Sequence, residues 1–522
     1  MTANNNLTRS QVQADDLSAL IRARNALIWI VTPEEARVEF YLAQAAAKAG
    51  YVPVFWDCAA GITRLGETPR GESTDPGECL ARIAQESIGG NERAVWIMRD
   101  LPAWLAGPIG IATLRALRNL ARNLPGTARE RAQAIIVVTP SAEVPPELTG
   151  HATIIEWPMP DRAEVAAMLD NLVTAYSLDL NGGRESAIDA AVGLSGAEVQ
   201  AVYSKSLVQT KTIDPKAVSA EKKRVISKSG VLEWLDPLAG GLAAVGGLDG
   251  VKTWVAKRAS AFSARARAYG LPAPKGILLV GISGCGKSFT PKALATEWQC
   301  PLVRFDFGAL KGKFVGQSEG NLRKALRTID SLGRCIVLVD EIEKALAGAT
   351  QGAADGGVSA DALGTFLSWM NDRTSQAFVV ATANDISAIV NNAPELLRKG
   401  RFDEIFWVDL PNAVERVQIL EATLRQHKRE LPCESLVKAT ESFTGAELAS
   451  LVPEALFSAF ADGERDLTAA DLIEAARTVV PLAETAKEKI TSMRAWAKTR
   501  ARMATTPTEQ ATSDKATRVL DL

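Results

Sequence analysis

Residues 276–288 read GILLVGISGCGKS, and this stretch decides the fold. The apolar run GILLV fits a short strand buried on both faces. Gly281-Ile-Ser-Gly-Cys-Gly-Lys287-Ser288 then satisfies G-x-x-x-x-G-K-[ST] at every position, and a helical stretch follows. Strand, glycine-rich turn and helix are the context this motif needs. Glycines let backbone N–H groups curl around phosphate, and the helix N-terminus adds positive potential. Gly281, Ile282, Ser283, Gly284, Cys285 and Gly286 form the expected cradle, Lys287 reaches the β/γ-phosphates, and the Ser288 hydroxyl holds Mg²⁺.

A second motif supports the first. Ile336-Val-Leu-Val339-Asp340-Glu341 is an apolar strand that delivers two adjacent carboxylates to its C-terminal end. Ligands of open α/β sheets bind at that end. Asp340 is the expected Mg²⁺ partner, and Glu341 is placed to orient or deprotonate a water. Two acids after a strand are common in loops, so the signal gains its meaning from its pairing with Lys287. Residues 378–384 (FVVATAN) end a further strand on Asn384, whose amide can bond the attacking water or the γ-phosphate. Pro394-Glu-Leu-Leu-Arg398-Lys-Gly-Arg401-Phe-Asp403 follows. Arg398 and Arg401 are either a solvated surface pair or groups that enter a neighbour's site and stabilise phosphoryl charge.

The surrounding chain alternates strand and helix. Residues 26–31, 52–56, 94–98 and 134–138 are apolar runs in the first half; residues 276–280, 302–305, 335–339, 377–381 and 405–408 repeat the rhythm. Such alternation predicts βαβ units and a parallel sheet. Residues 161–230 and 413–480 lose the strands and read as helices. Leu194-Ser-Gly-Ala-Glu-Val199 resembles Phe443-Thr-Gly-Ala-Glu-Leu448. The interval from Thr32 to Gly196 equals that from Gly281 to Gly445, which points to a duplication.

Composition narrows the chemistry. The chain has 522 residues, which suggests roughly three to four domains. It has two histidines, His151 and His427, without ligand-like spacing, and six cysteines with no C-x-x-C pair. These counts argue against a His-rich zinc site, a Ser-His-Asp hydrolase and a disulfide framework. Net charge is −2 and aromatics are 6%, so nothing global favours nucleic acid. No apolar run spans a bilayer and the N-terminus lacks a signal core, so a cytoplasmic protein is expected.

Together with Val245-Gly-Gly-Leu-Asp249, LLRKGRFD and FTGAEL, these motifs resemble a AAA ATPase module over residues 236–480. The resemblance implies ATP and Mg²⁺ as cofactors, a ring that is usually a hexamer, and adenine contacts from the backbone at Val245 and Gly246. It makes Asn384 the sensor on its strand and Arg398 and Arg401 the trans-acting arginines. It sets Gly445 and Ala446 against the nucleotide. Lys313-Phe314-Val315-Gly316, before a helix expected near Glu319, resembles the aromatic loop that lines the pore of substrate-threading rings; a buried loop is the alternative. Residues 347–357 would be a second pore loop or a flexible surface loop.

Residues 16–25 (DLSALIRARN), 224–233 (RVISKSGVLE), 298–305 and 493–501 (MRAWAKTRA) narrow the match. They resemble the stand-alone AAA ATPases of cyanobacteria and algal plastids, which have other bacterial relatives. In photosynthetic members the family is linked to regulation of inorganic-carbon use. The expected fold class is therefore α/β, with tandem AAA-type P-loop modules, each a parallel sheet with helices on both faces plus a helical lid. Expected boundaries are 1–16, a polar lead-in; 17–230, a degenerate module (lobe 17–160, lid 161–230); 236–410, the ATPase lobe; 411–480, its lid; 481–503, a C-terminal helix; 504–522, a disordered tail.

The first module is expected not to hydrolyse ATP. Val31-Thr-Pro-Glu-Glu35 occupies the place of the phosphate loop, where its two carboxylates repel phosphate, and Val95–Asp100 resembles the strand that ends in paired acids, but Leu101 replaces the second acid. Partner recognition or ring scaffolding is its expected work. The second module departs from the family in four places: Ala244 before V-G-G, Pro291 inside the expected helix, an insert at 389–392, and Cys285, either a redox switch or a tolerated small residue. The leading expectation is an ATP-driven ring that remodels complexes of an unknown protein client. The alternatives are an ATP-regulated switch or scaffold that threads nothing, and a nucleic-acid-handling ATPase suggested by the basic segment 494–502.

Overall fold

Buried apolar runs become the strands of two sheets. The computed structural model describes the chain apart from residues 1–6, 68–70, 141–142, 181–182, 228–229, 311–314, 345–357, 374, 399 and 506–522. The chain divides into two units, Met1–Lys222 and Lys223–Leu522.

The first unit carries β1 (Leu27–Val31), β2 (Val52–Asp57), β3 (Gly61–Arg64), β4 (Ala94–Arg99), β5 (Gln133–Thr139) and β6 (Ala152–Glu156). Their order is β3-β2-β4-β5-β1-β6, parallel except for β3 against β2. Every residue of β1 is buried. Leu27, Trp29 and Val31 enter one core, Ile28 and Ile30 the other. Alternation across the strand thus serves two helical layers, and each such buried side chain contributes about 1.5–3 kcal/mol. Helices Arg162–Tyr176, Arg184–Ala191, Gly196–Thr210 and Pro215–Ser227 follow the sheet.

The second unit carries β7 (Leu232–Leu235), β8 (Gly276–Gly281), β9 (Leu302–Phe305), β10 (Cys335–Val339), β11 (Ala377–Ala383), β12 (Glu404–Val408) and β13 (Arg502–Met503). The order is β13-β12-β8-β11-β10-β9-β7. Its inner strands β9-β10-β11-β8-β12 repeat β2-β4-β5-β1-β6, so the tandem α/β arrangement is present. Helices Ala413–Gln426, Gly445–Ala461 and Ala469–Thr478 pack their own core of Leu420, Leu448, Leu451 and Leu472. The repeated hexapeptide has a local cause. Ser195 with Glu198, and Thr444 with Glu447, form capping boxes at the starts of equivalent helices.

The structure departs from the sequence reading at the margins. β3, β6, β7 and β13 were not expected, and β7 lies in the gap left between the expected modules. Residues 481–503 are two helices, Leu482–Thr485 and Lys487–Arg500, and then β13. The tail does not begin at Ala504, which is buried and donates its N–H to Trp407 O. Val315 and Gly316 stand in the first turn of the helix Val315–Leu332 rather than in a loop, since no proline stops that helix from extending back from Glu319. Lys313 and Phe314, and the stretch 347–357, lie outside the described residues.

Candidate functional site

The site is built at the C-terminal ends of β8, β10 and β11. β8 is buried throughout and ends at Gly281. The chain then turns through Gly284 and Gly286, with φ of +78° and +86°, values that disfavour any side chain. The regular helix starts only at Thr290, so Pro291 falls in its first turn. There a missing N–H costs nothing, and the kink expected from a proline inside the helix does not arise.

Lys287 is buried and donates to Gly281 O at 2.9 Å and Ile282 O at 2.7 Å. Burial pushes its ammonium down to about 8, against the pull of Cys285, Glu343, Asp340 and Glu341. A charge so poorly solvated gains strongly from an anionic ligand. The Ser288 hydroxyl donates to Asp340 Oδ1 at 2.9 Å. These two hard oxygen donors beside the phosphate loop fit Mg²⁺.

Behind them lies a network that sequence reasoning saw only in part. Thr382 Oγ1 donates to Asp340 Oδ1 at 2.5 Å and accepts the Glu341 N–H at 2.9 Å. Asn384 donates its side-chain amide to Glu341 Oε1 and its backbone N–H to Glu343 Oε1, both at 2.8 Å. Lys344 pairs with Glu341 Oε2. Burial raises the Glu343 carboxyl above its ordinary value, with Glu341 adding to the effect. Thr382, Glu343 and Lys344 were not singled out from the sequence. The first sits in the FVVATAN strand and the second two residues after Glu341, but only the register of β10 against β11 brings their roles into view.

The cavity in front of this network holds about 310 Å³. Val245, Gly246, Gly445 and Ala446 line it together with the loop 283–288, Asp340, Glu341, Thr382 and Asn384. Ile419, Ala422 and Thr423 of the helical region close one side. Ala446 N–H donates to Gly284 O at 2.8 Å, so the helix Gly445–Ala461 bonds the phosphate loop directly. Cys285 is buried and its thiol is pushed up to about 11, chiefly by burial. That favours a packed small side chain over a reactive thiol.

The two arginines lie elsewhere. Neither Arg398 nor Arg401 lines the cavity. Asp403 accepts the N–H groups of Lys275 and Gly276 at 2.7 and 3.0 Å, which pins this segment to the start of β8. The phosphate loop leaves the other end of that strand. Five to six residues at about 3.3 Å each separate the two ends, so these side chains do not reach their own chain's site. Arg398 is exposed, and Arg401 Nη1 is buried without a hydrogen-bond partner among the described residues. Residues 389–392, expected as an insert, are the last turn of the helix Ile386–Asn392, with Ile389 fully buried.

Two arginines of the basic C-terminal segment, and a lysine just before it, are engaged within the unit. Arg494 grips Asp409 through Nε and Nη2, Lys489 pairs with Asp385 at 2.9 Å, and Arg502 pairs with Glu404 at 3.8 Å. Thr505 donates to Glu415 Oε1 at 2.7 Å, the same atom that accepts the Leu248 N–H.

The first unit places different groups at the equivalent ends of its strands. Glu34 is buried and accepts the N–H of Gly196, the first residue of the capped helix. Arg37 bridges Glu34 at 2.7 Å and Glu164 at 3.0 Å. Arg99 bonds Glu39 and Asp57.

Comparison with known proteins agrees with this division. Residues 13–157 match the N-terminal domain of SpoVK-like AAA ATPases, residues 163–229 the second domain of the same group, and residues 277–410 the ATPase family associated with various cellular activities (AAA). The AAA domain-containing protein ycf46 of Trieres chinensis is 34% identical over 492 residues, covering 92% of this chain and 96% of that protein. The ycf46 protein of Pyropia yezoensis is 34% identical over 491 residues, covering 92% and 97%. The ATP-dependent zinc metalloprotease FtsH of Acidothermus cellulolyticus is 35% identical over 237 residues, 44% of this chain and 35% of that protein. A two-unit chain with SpoVK-like domains in its first half, matched along nearly its whole length by the ycf46 proteins, belongs to the AAA ATPase family.

Proposed function

We propose that the second unit hydrolyses Mg-ATP and that the chain works as a ring, usually hexameric in this family, that remodels protein complexes. The observation that carries this reading is the convergence of Lys287, Ser288, Asp340, Glu341 and Asn384 on one cavity. When bound, Mg²⁺ would supply charge neutralisation for the phosphates. Ser288 and Asp340 would hold it. Lys287 and the amides of the loop 281–288 would bind the phosphates; Val245 and Gly246 would contact adenine. Asn384 and Lys344 each hold one oxygen of the Glu341 carboxylate, which lines the cavity, where it would orient a water and accept its proton.

Arg398 and Arg401 sit at the opposite end of the sheet, which suits groups that act in a neighbouring subunit's site. In this reading Lys313, Phe314, Val315 and Gly316 would contribute to a pore, and Gly445-Ala446 would relay nucleotide state to the lid. The first unit, with carboxylates and ion pairs at the equivalent strand ends, recognises partners or scaffolds the ring. Nucleic acid is a poorer fit, because two of the four cations in the segment 494–502, Arg494 and Arg502, already have carboxylate partners. No helix among the described residues is long and apolar enough to cross a membrane. The test is Glu341→Gln. It should abolish turnover, retain ATP and stabilise a ring visible by light scattering. Turnover at the wild-type rate would refute the assignment of Glu341.

A further inference from the structure

We infer that Thr382 is a positioning residue for nucleotide hydrolysis, because its hydroxyl joins the two strand-end acids, Asp340 and Glu341. The inference rests on the reading of the second unit as a Mg-ATPase. The hydroxyl has one proton and two lone pairs. The proton goes to Asp340 Oδ1, and a lone pair takes the Glu341 N–H. Thr382 is 1% exposed, so water does not compete for either bond. Asp340 Oδ1 thereby receives two hydroxyls, from Ser288 and Thr382. That fixes the rotation of the carboxylate that would take the metal. One side chain then sets both the orientation of Asp340 and the start of Glu341.

The first unit supplies an internal control. β1 pairs Val31 with Thr139, and β8 pairs Val280 with Ala383. Aligning the two pairs places Val138 where the second unit has Thr382, and β4 sets Arg99 opposite Val138, so Arg99 takes the place of Asp340 and Asp100 that of Glu341, one residue earlier than the sequence suggests. The turn itself is common to both units: Asp100 has φ +49° and Glu341 φ +50°. In the first unit the Asp100 N–H donates to the Val138 backbone carbonyl at 3.0 Å. The left-handed turn is therefore made without a hydroxyl. What the hydroxyl adds is its bond to Asp340, and it occurs in the unit that has the carboxylate to receive it.

The experiment compares Thr382→Val, which keeps the shape and copies the first unit, with Thr382→Ser, which keeps the hydroxyl. Turnover and binding of a fluorescent ATP analogue by the full chain are each measured against Mg²⁺ concentration. Thr382→Val should raise the Mg²⁺ needed for half-maximal effect by about tenfold or more and lower kcat by about 10–100-fold. KM for ATP at saturating Mg²⁺ should change little, and Thr382→Ser should recover most of the loss. A wild-type Mg²⁺ dependence in Thr382→Val overturns the inference, as does an equal loss in both variants, which marks a packing role. If the wild-type chain binds the analogue but does not turn over, the ATPase reading fails. The Mg²⁺ dependence of binding still decides the role of Thr382.

Discussion

The two units share a strand order and a left-handed residue after the fourth and tenth strands, yet differ at nearly every position proposed to meet phosphate. Where the second unit has Gly281 and Ser283, the first has Thr32 and a buried Glu34. Arg99 stands for Asp340, Val138 for Thr382 and Pro140 for Asn384. In the second unit the lid helix bonds the phosphate loop through Ala446 N–H and Gly284 O. In the first the corresponding helix is held by the Glu34 carboxylate, which stands where a phosphate-binding loop would curl. The sheet depends on buried apolar alternation and survives these changes. The chemistry depends on a few strand-end residues and does not. A carboxylate already paired with Arg37 needs no nucleotide to satisfy it.

The comparison can be broken in several ways. On the proposal that Arg401 acts in a neighbouring subunit's site, Arg401→Ala should lower turnover by about 10³-fold while leaving ATP affinity nearly unchanged. A weakened affinity with normal turnover would remove it from that role. Arg37→Ala leaves Glu34 and Glu164 buried without their shared cation, in side chains only 4% exposed. It should destabilise the first unit by about 3–5 kcal/mol in denaturant unfolding, with ATP affinity within about twofold of wild type. Unchanged unfolding would show that the ion pairs do not hold that unit together.

Smaller effects sharpen the second unit. Burial pushes the Lys287 ammonium down to about 8, so its charge is lost as pH rises through that value. ATP affinity should therefore fall as pH rises through 8, approaching about tenfold per unit, as followed by fluorescence titration. A flat profile between pH 7 and 9 would contradict the buried lysine. Arg494→Ala breaks a partly exposed pair with Asp409 and should cost the second unit about 0.5–1 kcal/mol.

Much of this was legible in the sequence because full burial leaves a readable trace. The runs in β1, β8 and β10 are apolar end to end, and the phosphate loop has little freedom in residue type. The remainder was hidden for physical reasons. β3, β6, β7 and β13 are edge or near-edge elements in which polar and exposed residues break the run, as in ATIIE and LEWL. Thr382 and Glu343 act across strands, and one-dimensional spacing does not show register. Pro291 misled because the helix start was placed a few residues early. Glu34 read as a residue that repels phosphate; that its carboxylate instead takes the Gly196 amide needed the fold.

One unit of the two is proposed to hold nucleotide. The most direct measurement counts ATP retained per chain by the Glu341→Gln protein, with Lys287→Ala as its partner. The account predicts one ATP per chain in the first and none in the second. Two per chain, or one that persists without Lys287, would place a working site in the first unit and contradict it.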